Sequence, residues 1–317
     1  MAQPARHLLK ISDLSKEEIM KIIDCAKSLK AHPEKYADRM KQETLLMLFE
    51  KPSLRTRVSF ETGMTQMGGH AIFYSVADSP LGKKESIEDT AKVLSRFVNV
   101  VMARLNKRSD CRQLAHNSTI PVINALDDFA HPCQMLADLL TIIEKKQKVE
   151  GLKMAYCGDI QNNVTYDLMR LASVMGFEIH VAGPSGEGYD AEKEVIDECN
   201  ELCAKSGGKV VLFHTNAADA CKDCDIIYCD SWMSYGIPAA EADQRVAKFM
   251  PFQVTQEVLN QAKPDCIFMN CLPAARGMEQ TAEVVDGPHS VVFDEAENRL
   301  HAQKALLLFL CGKKMTE

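Results

Sequence analysis

Short apolar runs alternate along the chain with stretches whose apolar positions recur at helical spacing. Ser15 to Glu18 reads as a capping box, and Ile19, Ile22, Ile23 and Ala26 follow on one helix face. Thr44–Phe49 (TLLMLF) is a continuous apolar run, as a parallel strand buried on both faces requires. It breaks at Lys51–Ser53, and a second helical pattern runs from about Arg55 to Met67, stopped by Gly68 and Gly69. Strand-like runs recur at Ala71–Tyr74, Val98–Ala103 and Ile120–Asn124, with a helix from Ser86 to Phe97 between the first two.

The second half repeats the alternation. Lys153–Cys157, Glu178–Ala182, Lys209–Phe213, Asp225–Cys229, Cys266–Asn270 and Ser290–Phe293 read as short buried strands. Val164–Met175 and Ala191–Ala204 are the clearest helical patterns between them. Such alternation in both halves predicts an α/β fold of two domains, each a mainly parallel sheet flanked by helices. Pro132–Lys146 is the expected connector, and the pattern from Ala302 to Leu310 predicts a long helix returning to the first domain. The boundaries that follow are 1–133 with 297–317 for the first domain and 134–296 for the second. No repeat or flexible linker separates them, so the active site is expected in the interdomain cleft.

The length of 317 residues fits two domains of roughly 150 each. Hydrophobic residues at 46% and charged residues at 26% exclude a disordered chain. A net charge of −7 argues against nucleic-acid binding through bulk positive charge, so any bound anion must meet a local arginine cluster. No apolar run approaches the ~20 residues that a bilayer span needs. Met1–Lys10 lacks the apolar core of a secretory leader, and a cytoplasmic protein is expected. Twelve scattered cysteines then read as reduced thiols. Cys221 and Cys224 have CxxC spacing, with Cys229 close behind, but no second ligand pair marks a zinc site, so no metal is expected.

The sharpest chemical feature is Ser53, Leu54, Arg55, Thr56 and Arg57, between a buried strand and a helix start. Unpaired N–H groups and the helix dipole favour an anion there. Two hydroxyls and two guanidiniums within five residues suit a phosphate. The bland alternative is a surface helix start made basic for solubility, yet basic residues at a helix N-terminus oppose the dipole unless an anion is present. The segment is not a Walker loop. His131 stands before Pro132, where a helix starts, and Gln134 lies one turn in. The pair can bond a carbonyl oxygen and a carbamoyl amide, although taken alone a capping histidine and a polar helix residue is the commoner reading. Asn270 to Pro273 follows a strand directly, at the strand end where parallel sheets bind ligands; its alternative is a buried strand-end cysteine. Gly158–Asn163 and Asp230–Gly236 point to the same crevice, and the first lacks the GxGxxG pattern of a dinucleotide loop.

Together, FEKPSLRTRVSFE (Phe49–Glu61), HPCQ, GD…NN, DSWMSYG, NCLP and FDEAENR (Phe293–Arg299) resemble the aspartate/ornithine carbamoyltransferase family over nearly the whole chain. The resemblance implies an N-terminal carbamoyl-phosphate domain and a C-terminal amino-acid domain. It also implies a homotrimer with active sites at subunit interfaces, the loop Ser79–Lys84 reaching a neighbouring site, and no cofactor. The expected reaction is transfer of the carbamoyl group to the δ-amine of L-ornithine, giving L-citrulline and phosphate. Carried over by position, Ser53, Leu54, Arg55, Thr56, Arg57, Arg104, His131, Gln134, Leu272 and Arg299 would bind carbamoyl phosphate. Asn163, Asp230, Ser234, Tyr235 and Cys271 would bind ornithine, with Arg104, His131, Cys271 and Arg299 as the catalytic set.

The chain departs from the family pattern at three places. Asn270 stands where HCLP has histidine, Tyr235 where SMG has methionine, and Pro80 where some relatives have glutamine. Putrescine carbamoyltransferases share features of the C-terminal stretch and supply the alternative acceptor. A non-catalytic phosphate-binding homologue is the alternative from another class. Aspartate fits less well, since it does not call for Asp230.

Overall fold

The computed structural model describes residues 5–76, 85–233, 240 and 242–316. In chain order the elements are α1 (Lys16–Ala31), β1 (Thr44–Phe49), α2 (Leu54–Gln66), β2 (His70–Ser75), α3 (Ile87–Phe97) and β3 (Val100–Arg104). Then come α4 (Arg108–His116), β4 (Val122–Leu126), α5 (Pro132–Lys146), β5 (Lys153–Cys157), α6 (Asn163–Met175) and β6 (Glu178–Ala182). Next are α7 (Lys193–Ser206), β7 (Lys209–Phe213), α8 (Ala217–Cys221), β8 (Ile226–Cys229) and α9 (Ala242–Phe249). The chain closes with α10 (Gln256–Leu259), β9 (Ile267–Met269), α11 (Ala282–Val285) and α12 (Val292–Leu310). Contacts divide these into two compact units, Met1–Leu140 with Glu297–Glu317 and Thr141–Ala296.

Unit 1 is built on a four-stranded sheet of order β2-β1-β3-β4, with every pairing parallel. β1, β3 and β4 are buried along almost their whole length, as their unbroken apolar sequences require. The capping box expected at α1 is present: Ser15 accepts from Glu18 N, and Glu18 accepts from Ser15 N. Unit 2 carries a parallel sheet of order β7-β6-β5-β8-β9. Its core includes Cys157, Cys221, Cys224, Cys229 and Cys266, packed with Ala155, Ile227 and Phe268. The CxxC cysteines are therefore packing residues, and burial pushes the Cys224 thiol above its ordinary range. Among the described residues, no helix is long and apolar enough to cross a membrane.

One expected strand is absent. Ser290–Phe293 makes a single bridge, Ser290 to Phe268, and the chain enters α12 at Val292. His289 O and Val291 N bond the two sides of Phe268, so the segment touches the sheet for one residue only. Glu295 N then bonds Val291 O and closes the first helical turn. A short apolar run cannot by itself distinguish a strand from a buried helix start.

Candidate active site

The first cluster lies wholly in unit 1, at the carboxyl end of its sheet. Phe49 and Arg104 are register partners at the ends of β1 and β3, and Glu50 N donates to Arg104 O (2.9 Å). The register between β3 and β4 breaks after Ala103, an irregularity of the kind that re-aims a strand-end side chain. Ser53 caps α2: its Oγ accepts from Thr56 N (3.3 Å) and donates to Thr56 Oγ1 (3.1 Å). Arg104, Thr56, His131, Gln134 and Arg299 are all buried.

Arg299, on α12, ties these pieces together. It donates to Gln134 Oε1 (2.7 Å), Thr56 Oγ1 (3.2 Å) and Gln303 Oε1 (2.9 Å). Gln303 in turn donates to Ser59 Oγ (2.7 Å), and Gln134 donates to Asp138 Oδ1 (2.8 Å). The field in the cluster is strongly positive. Burial holds the His131 imidazole well below its ordinary range, and Arg299, Arg104 and Arg55 lower it further. His131 is therefore a neutral ring among guanidiniums. Such a cluster of fixed donors can cradle a phosphate and polarise a carbonyl oxygen.

Two residues of the Ser53–Arg57 motif stand apart. Arg57 is exposed; its Nε donates to Glu61 Oε1 (3.0 Å), and its guanidinium lies 3.7 Å from the centre of the Phe73 ring. The Leu54 side chain is 76% exposed, so this residue presents only its backbone to an anion.

The second cluster lies wholly in unit 2, where β5, β8 and β9 are neighbours and end side by side. The Cys271 thiol donates to Asp230 Oδ1 (3.2 Å), and Asn162 Nδ2 donates to Asp230 Oδ2 (3.2 Å). The side-chain oxygens of Asn162 and Asn163 both accept from Val164 N, at 2.7 and 2.8 Å, at the start of α6. Leu272 has a left-handed backbone (φ 59°). Ser234, Tyr235 and the loop Ser79–Lys84 lie outside the described residues.

Several supporting residues were not singled out in the sequence. Asp127 accepts from Phe129 N and Ala130 N (2.8 Å each) and shapes the turn into His131; burial pushes its carboxyl up to about 6. The Trp232 backbone is pinned on both sides, its N–H by Glu279 Oε1 (3.2 Å) and its carbonyl by Arg245 Nε (2.6 Å). Arg245 also pairs with Asp159, whose carboxyl burial raises to about 6 although Arg245 opposes the shift. The aspartate before the HP pair was a legible turn signal; the partners of Trp232 were not legible, because they lie far along the chain.

Comparison with known proteins adds independent evidence. Residues 6–144 match the family model for the aspartate/ornithine carbamoyltransferase carbamoyl-P binding domain, and residues 150–310 match the model for the Asp/Orn binding domain. The chain is 48% identical over 309 residues to the ornithine carbamoyltransferase of Pyrococcus abyssi, covering 97% of this chain and 96% of that one. It is also 48% identical over 307 residues to the enzyme of that name in Methanosarcina acetivorans, covering 96% and 99%. Among solved structures, the ornithine carbamoyltransferase of Pyrococcus furiosus superposes with a TM-score of 0.92 at 46% identity, covering 98% and 99%. The ornithine transcarbamoylase of Giardia lamblia gives 0.89 at 46%, covering 97% and 99%. With both domain models matched in order and relatives alike along nearly their full length, the chain belongs to the aspartate/ornithine carbamoyltransferase family.

Proposed function

We infer that this protein transfers the carbamoyl group of carbamoyl phosphate to the δ-amine of L-ornithine, giving L-citrulline and phosphate. The observation that carries the donor side is the buried Arg299 bonded to both Gln134 and Thr56 at the capped start of α2, with Arg104 and His131 buried in the same unit. Relatives named for ornithine at close to half identity carry the acceptor side.

In this reading Ser53, Arg55, Thr56 and the Leu54 backbone take the phosphate, and Arg104 spans phosphate and carbonyl oxygen. His131 donates to that oxygen, while Gln134 and the Leu272 carbonyl hold the carbamoyl amide. Asn163, Asp230, Ser234 and Tyr235 take the amino-acid head of ornithine, and Cys271 lies near the attacking amine. The δ-amine attacks the carbonyl carbon and forms the new C–N bond. Arg55, Arg104, Thr56 and His131 stabilise the oxyanion, the bond to the phosphate oxygen breaks, and the amine's proton leaves with phosphate. Because carbamoyl phosphate arrives already activated, the reaction asks for no cofactor. Arg57, engaged by Glu61 and Phe73, supports α2 rather than the phosphate in this scheme.

Offering ornithine, putrescine and aspartate separately with carbamoyl phosphate tests the reading. Citrulline from ornithine is expected; product from putrescine alone, or none from ornithine, overturns it.

A homotrimer with sites at subunit interfaces belongs to the same proposal. It draws support from the exposed apolar side chains of Leu54, Val58, Ile72, Tyr74, Val93 and Phe97 in unit 1 and from the edge position of β2. Sedimentation should give three times the 35.3 kDa chain mass, and a monomer would refute it. A cytoplasmic location accords with twelve free cysteines.

A further inference from the structure

Behind the acceptor cluster lies a relay of amides that the scheme above leaves unused. Asn270, directly after β9, is fully buried. Its N–H donates to Glu295 Oε2 (3.0 Å), its side-chain oxygen accepts from Leu272 N (2.8 Å), and its Nδ2 donates to Gln280 Oε1 (3.3 Å). Gln280, equally buried, donates from Nε2 to Ala275 O (3.1 Å), and its oxygen also accepts from the Cys229 thiol (3.1 Å). Glu295 accepts a second bond, from Tyr228 Oη (3.2 Å). The relay has a backbone donor at one end and a backbone acceptor at the other, so each amide has one orientation that satisfies it.

The relay closes over the turn from Cys271 to Ala275. Leu272 has φ 59°, a conformation unfavourable for a side chain with Cβ and maintained only where the surroundings over-determine it. The next residue, Pro273, has no N–H through which the turn could be held. The Leu272 N–H anchors the start of the turn, with Asn270 as its acceptor, and the Ala275 N–H anchors its end on Glu279 Oε2 (3.2 Å).

We propose that Asn270 and Gln280 are positioning residues that hold Leu272 in its left-handed conformation and so aim its carbonyl, and the Cys271 thiol before it, for carbamoyl transfer. This rests on the functional reading above. If the anchor is lost, Leu272 relaxes, its peptide plane turns, and the carbonyl leaves the carbamoyl amide. The phosphate cluster, which uses neither residue, is untouched.

Steady-state citrulline synthesis and titration with inorganic phosphate, on the same preparations, test the proposal. Asn270→Ala should lower kcat on the order of ten- to a hundredfold, the scale of a group displaced by about 1 Å, with phosphate Kd within about twofold of the parent. Asn270→Asp keeps the acceptor for Leu272 N but loses the donor to Gln280 Oε1, and its kcat should lie between those of the parent and Asn270→Ala. Asn270→Ala combined with Gln280→Met should be no slower than Asn270→Ala alone, because the two act as one unit. Asn270→Ala within about threefold of the parent, or Asn270→Asp as slow as Asn270→Ala, overturns the proposal. Should Asn270→Ala not fold, Gln280→Met decides by the same pair of readouts: a kcat loss at constant phosphate affinity supports the proposal, and a parent-like kcat overturns it. A parent that makes citrulline confines any failure to this proposal. A parent that makes none overturns the functional reading, and this inference with it.

Discussion

The Cys271 thiol donates to Asp230 Oδ1 at 3.2 Å, so a thiol at the end of β9 and a carboxylate at the end of β8 meet as hydrogen-bond partners. Asn162 reaches the other carboxylate oxygen at the same distance. One carboxylate beside neutral donors suits the paired ammonium and carboxylate of an α-amino acid. Putrescine lacks the carboxylate and would leave those donors unmatched, a mismatch polar sites reject strongly. kcat/KM for ornithine should therefore exceed that for putrescine by at least about 100-fold. Asn163→Ala, which removes a donor for the carboxylate in this reading, should shrink the ratio; equal rates for the parent would show that these donors do not meet a substrate carboxylate.

Arg104 is buried at a strand end in register with Phe49, beside the register break of β3. Arg104→Ala should lower kcat by on the order of 10²–10³, the cost of removing one oxyanion-type donor. A rate within about threefold of the parent would remove Arg104 from the catalytic set.

The start of α2 should bind inorganic phosphate without a metal. Calorimetry in the presence of chelator is expected to show binding by the parent and none by Arg55→Ala. Unchanged affinity in that variant would mean the anion sits elsewhere.

Titration of His131 sets an acid limit. In the unfolded chain the ring takes up a proton as pH falls through its ordinary 6.5, whereas in the folded protein it stays neutral to lower pH. The unfolded state then binds more protons, so stability is lost on acidification below 6.5 until the folded ring also protonates. His131→Gln should flatten that fall in Tm. Asp127 works the other way. Raised to about 6, it contributes stability below its ordinary 3.8 that is lost as pH rises through about 6. Asp127→Asn, which keeps an oxygen for Phe129 N and Ala130 N, should gain Tm over the parent above that pH and not below it. Identical pH profiles for parent and variants would refute both assignments.

The strand–helix alternation was legible because both periodicities are local, and every expected strand from Thr44 to Asn270 has its counterpart. Ser290–Phe293 was not, since its apolar run serves a helix start. At the candidate site, motif order pointed to loops that the structure brings together within each unit, but not to the partners inside them. Arg55 and Arg57 look equivalent in sequence, and only the helix turns Arg57 toward Glu61 and Phe73. Asn162 and Asn163 are indistinguishable by spacing, yet Asn162 bonds Asp230. The link from Asn270 to Gln280 is set by the fold of the turn between them, which no periodicity encodes.

The bonds from Arg299 to Gln134 and Thr56 span 165 and 243 positions of the chain. During synthesis, the Ser53-capped turn of α2 leaves the ribosome long before the guanidinium that completes its surroundings. A chain cut short before α12 keeps that turn but lacks Arg299. In the scheme proposed above, carbamoyl phosphate would stabilise by mass action the molecules whose translation has passed Arg299. Ligand-dependent resistance to proteolysis would thus separate finished chains from prematurely terminated ones.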